Sequence, residues 1–273
     1  MKFLVIVSLV AFVALLGQCE AKAAFGSETI EGDTRVYGGY IPQPKRDYMT
    51  VLIRYYIDGK LDYACSGIII GNFSILSTYY CLTYIDLAVD IFKVTITGRT
   101  GREFFTTITG VAFHPDYNET TMANNLAIGY VADQWDFTTD DIWPVNLPES
   151  SWGCDYFTGM GLPLCGYRDP YTTNNTYDFE PTCGTFIPKP GYFCAKAGFS
   201  LNENELCAQS GAPTKVAVCE VDFGAGLSYY DSSIDTYFLY ALASYTVDNT
   251  CAEGPTAYII IAFYLDWINA NLL

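Results

Sequence analysis

Apolar residues in this chain come in short runs with few helical spacings. "MTVLIRYYI", "GIIIGNFSILS", "IFKVTITG", "FTTITGVAFH", "LAIGYVA", "KVAVCEVDF", "YFLYALASYTV" and "AYIIIAFY" are rich in Val, Ile, Thr, Tyr and Phe. Clusters of Gly, Asn, Asp and Pro separate them, and this pattern predicts strands joined by turns. An all-β sandwich or barrel is the class that fits. The final "FYLDWINANLL" alone has helical spacing, with Phe263, Leu265, Trp267, Ile268 and Leu272 available to dock an apolar face. At the other end, one Lys precedes an apolar run from Phe3 to Leu16, the layout of a secretory signal peptide over residues 1–20. No later run is expected to span a bilayer, because even "AYIIIAFYLDWI" is interrupted by Asp266.

Length and composition narrow the picture. The 273 residues are 51% hydrophobic and 16% charged, enough to bury a sizeable core in one or two domains. The formal charge of −16 repels phosphate, which argues against nucleic acid and anionic membranes as partners. It suits either a basic protein partner or plain solubility.

Ten cysteines without C-x-x-C spacing, and one histidine, His114, without a companion, point to disulfides. No metal or cofactor is expected. Cys19 lies near the cleavage region, so nine cysteines remain, and an odd count leaves one thiol free or bonded to a second chain. Sequons at Asn72, Asn118 and Asn174 fit a secreted, extracellular glycoprotein.

Seven segments fall into one order that resembles the trypsin-like serine peptidases. "RVYGGY" is similar to the activation site R-I-V-G-G, and "ACSGIIIGNFSILSTYYC" to the stretch ending in T-A-A-H-C. "FHPDYN" with "NNLAIGYV" resembles H-P-x-Y and N-D-I-A-L; "CDYFTGMG" resembles C-x-V-x-G-W-G. "YFCAKA" is similar to M-x-C-A-G, "ELCAQSGAP" to D-S-C-Q-G-D-S-G-G-P, and "YALASYTVDNTCAEGPTAYIIIAFYLDWI" to the end of the domain. The resemblance implies two six-stranded antiparallel β-barrels with a C-terminal α-helix, a short pro-segment over 21–35, and a peptidase domain over 36–273. It implies cleavage between Arg35 and Val36, and disulfides Cys65–Cys81, Cys183–Cys194, Cys207–Cys251 and Cys154–Cys219. Cys165 is then the odd cysteine, a route to a disulfide-linked dimer.

The same resemblance implies a degenerate catalytic set. Tyr80 takes the place of the histidine, Asn125 that of the aspartate, and Ser210 that of the nucleophile. A serine attacks an amide only when a base takes its proton and a carboxylate orients that base. His114, in a separately matched segment, reads as structural. Gln209 replaces the aspartate that pairs with the new amino terminus, and Ala208 stands in a shortened oxyanion loop. Glu205 falls where a basic side chain would be read, with Ser244, Tyr245 and Thr246 in the pocket wall; its other reading is a solvated loop acid.

The expectation is a secreted inactive homologue acting as decoy, cofactor or regulator toward an extracellular protein. The alternative is an active trypsin-like endopeptidase, which would need a base such as Lys215. The stretch "EVDFGAGLSYYDSSIDTYFLY" is longer than the family pattern, and its tyrosines suit either a binding surface or packing.

Overall fold

The computed structural model describes residue 39 and residues 49–57, 60–83, 91–139, 141–167, 181–211, 216–246 and 254–273. The signal peptide, the pro-segment, Arg35, Val36, Lys215, Cys251 and Asn174 lie outside these residues. The Val- and Ile-rich runs form β1 (Thr50–Ile57), β2 (Lys60–Ile69), β3 (Ser74–Ser77), β4 (Ile91–Thr97), β5 (Glu103–Phe113) and β6 (Ala127–Val131). They close into an antiparallel barrel in the order β1-β2-β3-β6-β5-β4. β7 (Leu162–Tyr167), β8 (Pro181–Lys189), β9 (Glu205–Ser210), β10 (Gly226–Asp231), β11 (Thr236–Tyr245) and β12 (Thr256–Ile260) close a second barrel as β10-β11-β12-β9-β8-β7. The two antiparallel barrels expected from the resemblance are both present. Closure removes the exposed edges that open sheets of such apolar strands would offer.

Several strands are buried on both faces, and their side chains alternate between two apolar cores. Tyr258 and Ile260 of β12 join the larger core, whereas Ile259 joins a second core with Met49, Ile68, Leu76 and Ile128 of the first barrel. A two-residue period sends neighbours to opposite faces, so one strand can serve its barrel interior and the seam at once.

The C-terminal segment seals that seam. It begins as a 3-10 turn, Ile261–Tyr264, before α3 (Leu265–Ala270). In a 3-10 turn residues three apart eclipse, so Ile261 and Tyr264 both face inward. Phe263, expected to dock, is instead 47% exposed, and Tyr264 takes its place with its hydroxyl donating to Asn124 Oδ1 at 2.9 Å.

The tyrosines after Cys219 are mostly packed within the β10–β11 hairpin. Tyr229 stacks on Phe157 at 4.8 Å, and buried Tyr240 meets Phe157 edge-on and donates to Gly153 O at 2.8 Å. The exposed apolar residue of this hairpin is Ile234 at its turn.

Cys65–Cys81 forms as expected. The other pairings differ. Cys165 and Cys183 are directly opposed on β7 and β8 with Cα atoms 4.0 Å apart, and they bond to each other. Cys194, at the middle of α2 (Tyr192–Ala197), bonds Cys207 of β9 across a Cα separation of 5.9 Å. Cys183–Cys194 and Cys207–Cys251 are therefore corrected, because strand register gives Cys183 and Cys207 other neighbours. Cys165 is not an odd thiol, and the dimer route through it closes. Cys154 and Cys219 are also disulfide-bonded, and none of the described cysteines is free. Among the described residues no helix is long and apolar enough to cross a membrane.

Candidate functional site

The site lies where the barrels meet, and it starts from a capped turn. Thr78 Oγ1 accepts the Cys81 N–H at 3.1 Å and opens the one-turn helix α1 (Tyr79–Leu82), which Cys65–Cys81 ties to β2. This turn presents Tyr80. Asn125, wholly buried just before β6, accepts the Tyr80 N–H on Oδ1 at 3.0 Å. Its Nδ2 donates to Ser244 Oγ of β11 at 2.9 Å. Tyr80 and Asn125 are thus brought together as the sequence suggests. Ser244, expected in a pocket wall, instead joins them and links the two barrels.

On its other side, Tyr80 faces the segment that follows Cys219. The Tyr80 hydroxyl donates to Glu220 Oε1 at 2.8 Å. Its ring meets Tyr63 edge-on at 5.9 Å and Phe223 edge-on at 6.5 Å. Glu220–Asp222 form a 3-10 turn closed by the buried Asp222, whose Oδ2 accepts the Cys219 N–H at 2.9 Å. Four consecutive amides in this turn are engaged: Asp222 N to Cys219 O, Phe223 N to Glu220 O, Gly224 N to Ala243 O and Ala225 N to Asp222 O, at 2.8 to 3.1 Å. The turn is fastened to the first barrel, since Ser66 N donates to Phe223 O at 2.9 Å and Ser66 Oγ to Val221 O at 2.9 Å.

Ser210 sits elsewhere. It ends β9, opposite Phe186 of β8, and its Oγ accepts from Val216 N at 3.4 Å. Gln209 pairs with Ile187, and buried Ala208 lies in register with Pro188 and Thr256. The "CAQS" run is therefore ladder rather than an oxyanion loop, and Ala208 and Gln209 are corrected accordingly. Because these residues continue a strand, the second barrel brings Glu220 and Phe223 to Tyr80.

Glu205 is neither a solvated loop acid nor open to the cleft. It starts β9 at 1% exposure, and its Oε2 accepts from Asn202 N and from the Tyr245 hydroxyl, both at 2.8 Å. Burial pushes its carboxyl above the usual range against those two hydrogen bonds, and burial together with Glu205 pushes the Tyr245 phenol up. Thr246 is half-buried beside this pair in sequence.

A raised carboxylate pKa means the folded state binds the proton more tightly, so stability falls as pH rises from about 4.5 through the raised value. Glu205→Gln keeps an acceptor for both donors and carries no charge. We expect it to abolish that part of the pH dependence and to raise neutral-pH stability by roughly 1 kcal/mol. Urea titrations at pH 4 and 7 check this, and an unchanged slope with pH would refute it.

His114 is structural, as expected. Its backbone N donates to Leu126 O, its Nδ1 accepts from Asp116 N at 3.3 Å, and its ring meets Tyr264 and Trp267 at 5.3 and 5.1 Å. Burial lowers its pKa against the opposing pull of Asp116. Of the described sequons, the asparagines Asn72 and Asn118 are both exposed.

Sequence reading missed Glu220, Phe223 and Gly224. The signal for them is "DFGAG", which shares its aspartate, glycine and small residue with the D-S-G-G that was matched at "QSGAP".

Comparison with known proteins agrees with the two-barrel fold. The Trypsin family model matches residues 39–268. Mast cell protease 3 of Ovis aries is 29% identical over 117 residues, which cover 42% of this chain and 45% of that protein. The chain thus matches less than half the length of this relative.

Proposed function

Because the chain belongs to the trypsin family of serine peptidases, we propose that it is a secreted, catalytically inactive member that works by binding protein. The observation that carries this reading is the hydrogen bond from the Tyr80 hydroxyl to Glu220. A phenol keeps its proton at neutral pH, and here that proton is donated to the Glu220 carboxylate, so Tyr80 supplies no base in the histidine's place.

The supports of a base are missing too. Asn125 is a neutral amide that donates to Ser244 and accepts from Tyr80 N, and it offers nothing to stabilise an imidazolium. In this family an aspartate-to-asparagine change alone lowers turnover about 10⁴-fold.

The residue that the second barrel sets against Tyr80 is Phe223, and it follows Asp222 and precedes Gly224 as the nucleophilic serine does in D-S-G-G. We assign the nucleophile's place to Phe223 rather than Ser210. A phenyl ring has no atom that can attack a carbonyl. Oxyanion stabilisation is weakened as well, because the Phe223 amide donates to Glu220 O within the protein. Loss of one oxyanion donor costs about 10²–10³ in rate. What persists is the frame of two closed barrels, suited to a decoy, cofactor or regulator of extracellular proteases.

Protein cut after Arg35 should show no labelling by a fluorophosphonate above that of the heat-denatured sample. Stoichiometric labelling, with the adduct mapped to Ser210, would restore the reading of an active endopeptidase.

A further inference from the structure

We propose that Asn118 is a modification site, carrying an N-linked glycan whose first sugar lies against a row of three aromatic rings beside Tyr80. It rests on the secreted half of the function proposed above and goes beyond it by giving a bare surface an occupant. Tyr79, the neighbour of Tyr80 in α1, stacks on Tyr117 with centroids 3.8 Å apart and planes 12° apart, and its ring also meets Phe113 at 4.6 Å. Phe113 is 38% exposed, and Tyr79 and Tyr117 are half-buried, so the row reaches solvent.

Asn118 follows Tyr117 directly, and its loop holds it in one pose. Its N–H donates to Ala123 O at 3.0 Å, and its Oδ1 accepts from Thr120 N at 3.0 Å and from Thr121 N at 3.1 Å. Nδ2 makes no hydrogen bond among the described residues, and Asn118, Glu119 and Thr120 are all exposed. Nδ2 is the atom that N-glycosylation uses. In the transfer, Nδ2 bonds to the anomeric carbon of an oligosaccharide as that carbon's bond to a lipid diphosphate breaks, and one Nδ2 proton is lost. The side-chain carbonyl survives, so both hydrogen bonds to Oδ1 persist in the product and hold the first sugar one residue from the Tyr117 ring. A pyranose presents a face of C–H groups that suits the electron-rich face of an aromatic ring. Packed there, the sugar removes from water apolar surface that the row otherwise exposes.

The test begins with glycopeptide mapping of protein made in a eukaryotic secretory host, in medium and lysate alike. A glycan on Asn118 is expected. Chains with a cut leader and a bare Asn118 overturn the proposal and leave secretion standing, whereas uncut chains with a bare Asn118 sink both. Packing is read without a variant, because ring currents should move protons of the first sugar upfield of their positions in the isolated glycopeptide. Thr120→Ala destroys the sequon but keeps Asn118 and the donor at residue 120, and it should lower the thermal midpoint by about 2–4 °C. Trimming the glycan to one N-acetylglucosamine, or Asn72→Gln, should leave the midpoint unchanged. In a Tyr117→Ala background, the effect of Thr120→Ala should vanish. Unshifted sugar protons, or equal midpoints for Thr120→Ala and the parent, overturn the proposal.

Discussion

Alanine at Gly224 is expected to cost about 3–5 kcal/mol, the largest loss of any single substitution considered for this protein. Two independent reasons converge. Gly224 has φ of +90°, a conformation that L side chains rarely adopt. A Cβ there would lie 2.0 Å from Ser66 O and 2.4 Å from Ser77 Oγ. The first obstacle is backbone inside β2 and cannot rotate away. Relief would pull the 220–224 turn off the first barrel, with loss of the bond from Ser66 N to Phe223 O. Gly101→Ala is the matched control, because Gly101 also has positive φ, +82°, yet nothing lies within 4 Å of its added Cβ. The control should cost only about 1 kcal/mol. Urea midpoints for the two variants separate clash from backbone strain, and equal midpoints would remove the proposed close approach at the seam.

Asn125→Leu should destabilise the protein by about 3 kcal/mol. The leucine fills a similar volume, but it leaves the Tyr80 N–H and the buried Ser244 hydroxyl without the partners that Asn125 supplies. Asn125→Asp tests the same site with opposite pH behaviour. The carboxylate still accepts from Tyr80 N, and the Ser244 hydroxyl must turn to donate to it where it accepted from the Asn125 amide, but the new charge is buried, so that variant should be closest to the parent at low pH and lose ground as pH rises. Thermal melts at pH 4.5 and 7.5 report both effects. A leucine variant as stable as the parent would mean that the Asn125 bridge contributes nothing to joining the barrels.

The parts of this protein that are periodic were readable in advance. Runs such as "GIIIGNFSILS" and "AYIIIAFY" announce buried strands whatever surrounds them, and both barrels follow from them. Tyr80 and Asn125 were also legible, since each sits in a short segment whose neighbours fix its place: the Thr78 cap for one and the start of β6 for the other. Ser210 was not, because "QSGAP" and "DFGAG" are both small-residue runs after a cysteine, and composition cannot tell which becomes strand and which becomes turn. The β9 ladder with β8 and β12 settles it.

Cysteine pairing failed for a related cause. Cys165 meets Cys183 because two strands lie in a register that places them face to face, 18 residues apart in the chain. Spacing alone does not carry register.

Taken alone, the order of residues determined an all-β chain, its family likeness, its strong negative charge and a tyrosine where a base would be needed. Only the folded molecule decided which residues stand opposite that tyrosine, which cysteines meet, and which acid reaches solvent. The physical reason is range. Strand formation depends on side chains two positions apart, whereas Glu220 lies 140 residues from Tyr80 and reaches it only because a hydrogen-bonded turn is clamped across two closed barrels.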